Sequence, residues 1–133
     1  MDGLCPACSH HFEARLLHNG FNASSYCYCL SCGAVAICSH TKKPASIHDL
    51  EFGPLLSDHT QLLHACTCGG QFHTHAMPRC PSCRSPLNPL EATGWLEAGA
   101  PGTNKGWRWR GSWIGLYALI VNENSIPDPW LAA

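Results

Sequence analysis

The sequence predicts a small, β-rich α+β fold, on three observations. Ten cysteines lie among 133 residues, eight of them in closely spaced pairs. Short apolar runs are separated by turn-forming residues, Asn19-Gly20 being the clearest hairpin signal. Alternation of period two, the signature of a strand, runs from Trp107 to Val121, whereas helical patterning is confined to two short stretches.

The elements follow in order. Within residues 1–40, Leu4 to Cys8 forms a tight Cys-Pro loop. The runs Phe12 to Leu17 and Phe21 to Tyr28 flank Asn19-Gly20 as a hairpin, and Ala34-Val35-Ala36-Ile37 is a further short strand. Residues 41–86 open with a linker or surface loop over 41–54, which contains two prolines. A brief helix over 55–65 follows, with Asp58 and Gln61 spaced as a capping pair, and then the last four cysteines. Residues 87–133 begin with a helix whose start is marked by an Asn88 cap, Pro89 in the first turn and Glu91 three residues on, and which ends near Gly99. In the strand over 107–121, Trp107, Trp109, Trp113 and Tyr117 share one face while Arg108 and Arg110 lie on the other. Its second half is apolar on both faces and is expected to be buried. A turn over 122–125 and a return strand led by Ile126, ended by Pro127 and Pro129, complete a C-terminal hairpin.

Composition narrows the class. With 45% hydrophobic residues the chain is not disordered by composition. The N-terminal residues carry no basic stretch followed by an apolar run, and the longest apolar segment, Trp113 to Val121, is too short to span a bilayer. The expectation is therefore a cytoplasmic protein without a membrane partner, whose cysteines act as thiolate ligands rather than as disulfides.

Cys5-Pro6-Ala7-Cys8 and Cys29-Leu30-Ser31-Cys32-Gly33 are two Cys-x-x-Cys loops with 20 residues between them. Cysteines three apart in a tight turn can both point at one ion while nearby backbone N–H groups donate to the sulfurs. Glycine after the second cysteine supplies the positive φ that closes such a turn. A hairpin between the loops would complete a tetrahedron of sulfurs about 2.3 Å from zinc. Here the residues resemble the zinc-ribbon, or rubredoxin-like, family over roughly Cys5 to Cys38 and again Cys66 to Cys83. The resemblance implies two ribbons in tandem, 1–40 being the first and 41–86 carrying the second, with a C-terminal helix and tryptophan-rich β-hairpin over 87–133 packed on them. It implies Cys5, Cys8, Cys29 and Cys32 as the ligands of one structural zinc.

For the second zinc, Cys66-Thr67-Cys68-Gly69-Gly70 is followed by Cys80-Pro81-Ser82-Cys83. One residue instead of two between Cys66 and Cys68 departs from the family pattern, and a sharp turn at Gly69-Gly70 would accommodate it. The favoured ligand set is Cys66, Cys68, Cys80 and Cys83; the alternative replaces Cys66 by His64, His73 or His75. Cys27 and Cys38 are left over. A register slip would make Cys27 a ligand, and Cys38 with His40, Cys27 and His11 or His18 could form a third site. The favoured reading is that both pack as small apolar residues.

Four thiolates saturate a zinc ion, so neither site offers a position for water. No His-Glu-x-x-His run, phosphate-binding glycine loop or paired-carboxylate motif is legible, and the expectation is a non-enzymatic protein. Two zinc ions held by eight thiolates bring the formal charge from −1 to about −5. Only 13% of residues are charged, and nucleic acid normally meets a basic surface. The favoured partner is accordingly another protein, met by Trp107, Arg108, Trp109, Arg110 and Trp130, residue types enriched at binding hot spots. Nucleic acid bound along the Lys105–Arg110 strand is the disfavoured alternative.

Overall fold

The computed structural model describes residues 1–93 and 117–131. The fold is a small, strand-rich α+β structure with two sheets and a few short helices. The first sheet has the order β1 (Asp2–Leu4), β2 (His11–His18), β7 (Tyr117–Val121), with both pairings antiparallel. The second has the order β5 (Gly53–Pro54), β3 (Ser24–Cys29), β4 (Val35–Ser39), β8 (Ser125–Pro127), and β6 (Phe72–His73) pairs with the C-terminal end of β3.

Alternation along three strands arranges the core in layers. In β3, Tyr26 and Tyr28 point one way, toward Ala118 and Ile120 of β7. Cys27 and Cys29 point the other way, into a cluster with Cys38, Ile47, Leu55, Leu63, Phe72 and Trp130. In β7 the alternate residues Leu119 and Val121 pack with Phe12 and Ala14 of β2, Leu87 and Ala92. β3 is therefore buried along its whole length, as a strand covered on both faces must be. The two sheets are tied by one hydroxyl: Tyr28 Oη accepts from Leu119 N–H at 2.8 Å and donates to Leu119 O at 3.0 Å. It thereby satisfies backbone groups that would otherwise be unpaired on the edge of β7.

Several sequence expectations hold. β4 covers most of the strand expected over 34–37, the buried half of the 107–121 strand is β7, and Glu91 N–H donates to the Asn88 cap at the start of α3 (Pro89–Thr93). Others do not. Asn19-Gly20 is not a hairpin turn: β2 and β3 lie in different sheets, joined by a single helical turn, α1 (Asn19–Asn22). Both edges of β2 are already taken by β1 and β7, so the chain must cross over. Buried Asn19 accepts from Ser24 Oγ at 2.8 Å, and His18 Nδ1 accepts from Phe21 N–H at 3.0 Å.

The C-terminal hairpin is likewise absent. Asn122 and Glu123 adopt positive φ of 51° and 56°, and the chain leaves the first sheet to place β8 parallel to β4 in the second. The expected 55–65 helix shrinks to α2 (Ser57–Thr60), with no side-chain cap. The 41–54 stretch is more than a surface linker: Ile47 is buried, and β5 pairs parallel with β3. Trp107, Arg108, Trp109 and Arg110 lie outside the described residues. Among the described residues, no helix is long and apolar enough to cross a membrane.

Candidate metal centres

Four short loops each end in a pair of cysteines, and all four are built alike. The N–H of the first cysteine donates to the carbonyl two residues beyond the second: Cys5 to His10, Cys29 to Ala34, Cys66 to Gly70 and Cys80 to Ser85, at 2.8–2.9 Å. The residue just after the second cysteine donates back to the first cysteine's carbonyl: Ser9 to Cys5, Gly33 to Cys29, Gly69 to Cys66 and Arg84 to Cys80. In every case that residue has a left-handed backbone, with φ of 64° at Ser9, 78° at Gly33, 92° at Gly69 and 66° at Arg84. The turn frees backbone N–H groups for sulfur. Ser31 donates to Cys29, Ala34 to Cys32, Gly70 to Cys68 and Ser82 to Cys80, each at 3.4 Å.

The four loops assemble into two sites. Cys5, Cys8, Cys80 and Cys83 form one; Cys29, Cys32, Cys66 and Cys68 form the other. All eight cysteines singled out in the sequence are therefore drawn into four-sulfur clusters, but the pairing of loops differs from the tandem ribbons expected. The inner site closes the chain between residues 29 and 68, and the outer site encloses it, joining residues 5–8 to residues 80–83. The cause is the crossover at α1. With β2 and β3 in separate sheets, the Cys5–Cys8 loop is carried to the first sheet and the Cys29–Cys32 loop to the second, out of each other's reach. Cys80 accompanies Cys5 in the cluster beneath the first sheet, and Cys66 accompanies Cys29 in the cluster beneath the second.

The geometry suits a single tetrahedral cation. Sulfurs at 2.3 Å from a central zinc ion lie about 3.8 Å apart along each tetrahedral edge. The separations are 3.7 Å for Cys5–Cys83, 3.6 Å for Cys8–Cys80, 3.5 Å for Cys29–Cys68 and 3.6 Å for Cys32–Cys66. All four sulfurs of each site lie within 4.8 Å of one another, too close to span a cluster of two or more irons, whose outer ligands on different irons stand farther apart. Three thiols are shifted toward ionisation, Cys80 among them, against its burial, through the Cys83 and Ser82 N–H groups. Burial raises Cys66 and Cys32, and Cys8 is raised as well. The Gly70 N–H brings Cys68 down to about 7, and hydrogen bonding from Ser85, whose Oγ lies 3.2 Å from Cys83 Sγ, brings Cys83 down to about 6. Thiolate is the form that binds metal. In each site two cysteines are inward and largely buried, while Cys8, Cys83 and Cys68 reach the surface.

The residues outside these sites also take definite places. Cys27 and Cys38 are buried side by side in the apolar cluster of the second sheet. The neighbouring Cys27 thiol, together with burial, pushes the Cys38 thiol far above its ordinary value, so it stays neutral. His40 Nε2 lies 2.7 Å from Ser25 Oγ, His11 Nδ1 lies 2.8 Å from Asp2, and His73 Nδ1 accepts from His75 N–H; among the described residues none of these joins a cluster. Trp130 is corrected as a partner-binding residue. It is buried in the second-sheet core, and its Nε1 donates to Ser39 O at 3.0 Å, so it has no face to offer. Sequence reading missed the left-handed positions at Ser9 and Arg84, where no glycine marks the turn.

The chain belongs to the family described as a domain of unknown function (DUF8255), whose model matches residues 2–89, a span that contains both four-cysteine sites. No curated protein and no solved structure matches it.

Proposed function

We propose that the chain is a non-enzymatic protein-interaction module of the adaptor, inhibitor or immunity type, whose surface is held rigid by two structural zinc ions in ribbon-like sites. The observation that carries this reading is the closure of both sites. Each gathers four sulfurs around one position, so a zinc ion there would have no vacant place for water or substrate. A metal so enclosed holds shape and performs no hydrolysis. The nested closure also spans the matched domain: one ion joins its two ends and the other joins its middle.

A protein partner fits the sparse and acidic charge of the loaded chain better than a nucleic acid does. The described surface also presents large apolar side chains: Phe21 is 87% exposed, and Leu56 and Phe52 are at least half exposed. The test is affinity capture from the source cell with mass spectrometry, with metal content measured on the same preparation. Two zinc equivalents and one reproducibly enriched protein are expected, with Trp107→Ala or Arg108→Ala weakening capture and leaving zinc content unchanged. An open catalytic metal site, revealed by one equivalent of exchangeable metal and turnover, would overturn the reading.

A further inference from the structure

We propose that the cleft between the two metal sites binds a small oxyanion, of the phosphate or carboxylate class, on Arg79 and Arg84. The cleft, about 410 Å³, is lined by Arg79, Pro81 and Arg84 of the outer site's second loop, by Gly33 of the inner site, and by the turn after β7, including Asn122 and Glu123. Arg79 crosses over Gly33, where a Cβ would come within 2.6 Å of the Arg79 backbone nitrogen. Its guanidinium is held in place by one bond, Nη1 to Arg84 O at 2.8 Å. Its Nε is buried and has no hydrogen-bond partner among the described residues. A donor on a charged group without an acceptor is destabilising, and a small shift of the guanidinium would open it to an anionic oxygen in the cleft.

Three further features agree. Neither Arg79 nor Arg84 pairs with a carboxylate among the described residues. The acid on the cleft wall, Glu123, is already engaged, with both carboxylate oxygens within 3.1 Å of Arg15 Nε. Asn122 Oδ1 accepts from Glu13 N–H, which leaves its amide NH₂ as another donor. Arg84 also occupies a left-handed position that is glycine in both inner loops, so a cation stands there despite the backbone cost. The thiolates of the loaded metal sites draw on the same positive charge. Affinity is therefore modest, with a dissociation constant on the order of 1 mM, and it falls with salt.

The test is a titration of ¹⁵N-labelled, zinc-loaded protein with inorganic phosphate and, separately, with acetate, at constant ionic strength. Saturable shifts of the Arg79 Nε–H and Gly33 amide signals are expected. Saturation by phosphate alone identifies the phosphate class, and saturation by acetate identifies a carboxylate. Arg84→Met alters only an exposed side chain and should weaken binding at least fivefold while metal content stays at two equivalents. Arg79→Lys, which keeps the charge but loses the Nε–H, should weaken it similarly. Non-saturating shifts, or saturation unchanged by Arg84→Met, would overturn the proposal and leave the arginines as counter-charges to the thiolates.

Discussion

The outer and inner sites use one loop architecture but solve it with different residues. In the inner site the left-handed positions are Gly33 and Gly69; in the outer site they are Ser9 and Arg84. A left-handed backbone costs a non-glycine residue roughly 1–2 kcal/mol. The outer site bears that cost twice and still forms, so glycine is a convenience of the turn and not a condition of it. What does require glycine in the inner site is close approach. A Cβ at Gly33 would meet the Arg79 backbone at 2.6 Å, and one at Gly70 would meet Ser31 Oγ at 2.5 Å and Cys29 Sγ at 2.8 Å. A Cβ at Gly69, by contrast, would meet nothing within 4 Å among the described residues.

The severest way to break the comparison is to remove the metal from both sites at once. Structural zinc supplies roughly 10–16 kcal/mol of apparent binding free energy in finger peptides, against about 5–15 kcal/mol for the net stability of a whole domain. Chelation should therefore abolish the cooperative thermal transition and the strand signal in circular dichroism. An unchanged melting curve after verified metal loss would show that the layered core suffices alone.

Acid should achieve the same end and can rank the sites. Metal binding requires thiolates, so protons compete with the ion and affinity falls as pH falls. The sign follows from the lowered values. Cys83 at about 6 and Cys68 at about 7 lie below the ordinary thiol value of 9.0, so each favours the assembled site at high pH and gives up that advantage as pH drops through its own value. The outer site sets two lowered thiols, Cys83 and Cys80, against one raised, Cys8. The inner sets one lowered, Cys68, against two that burial raises, Cys66 and Cys32. The outer site should therefore hold its ion to lower pH. Release measured with a colorimetric zinc indicator across pH 7 to 4, in Cys66→Ser and Cys80→Ser variants that each retain one site, checks the order.

How far the sequence revealed this arrangement differs between the ligands and their grouping. The eight ligands were legible because a cysteine pair in a tight turn is a local feature, set by residues within six positions of one another. Their grouping was not, because it depends on which sheet each loop is attached to, and that is decided by the crossover at α1 and the pairing of β2 with β7, about a hundred positions away. Asn19-Gly20 favours a hairpin locally, yet buried Asn19, held by Ser24, and the filled edges of β2 override it. One signal did bear on the grouping. The two loops of the outer site both read Cys-Pro-x-Cys, and both loops of the inner site are followed directly by glycine. Like loops pair with like. Trp130 illustrates the complementary error: hot-spot composition says nothing about exposure, and a tryptophan that follows Pro129, three residues beyond the end of β8, serves as core.

Glycine substitutions separate close approach from backbone freedom. Gly33→Ala combines a forbidden contact with a left-handed backbone, and Gly70→Ala has the contact alone; overpacking of this kind costs about 1–3 kcal/mol, to which Gly33 adds roughly 1–2 kcal/mol of backbone strain. Gly69→Ala meets open space and should cost only the backbone share. The expected order of destabilisation in denaturant titrations is Gly33, then Gly70, then Gly69. Equal losses at all three would mean that turn conformation alone, and not the packing of one loop against the next, keeps glycine in the inner site.

The smallest effect runs in the opposite direction. Ser9 is exposed and its φ is 64°, the position that the inner loops fill with glycine. Ser9→Gly relieves the left-handed strain of roughly 1–2 kcal/mol, but it also frees the unfolded chain, which returns about 0.4–1 kcal/mol of that gain. The net expectation is a stabilisation of about 0.5–1 kcal/mol, seen as a higher denaturation midpoint with the slope unchanged, and with two metal equivalents still bound. Because the Ser9 N–H bond to Cys5 O survives the change, no compensating loss of a hydrogen bond is expected. A destabilised Ser9→Gly variant would mean that the outer loops depend on their side chains at this position, and the likeness between the two sites would then stop at the backbone.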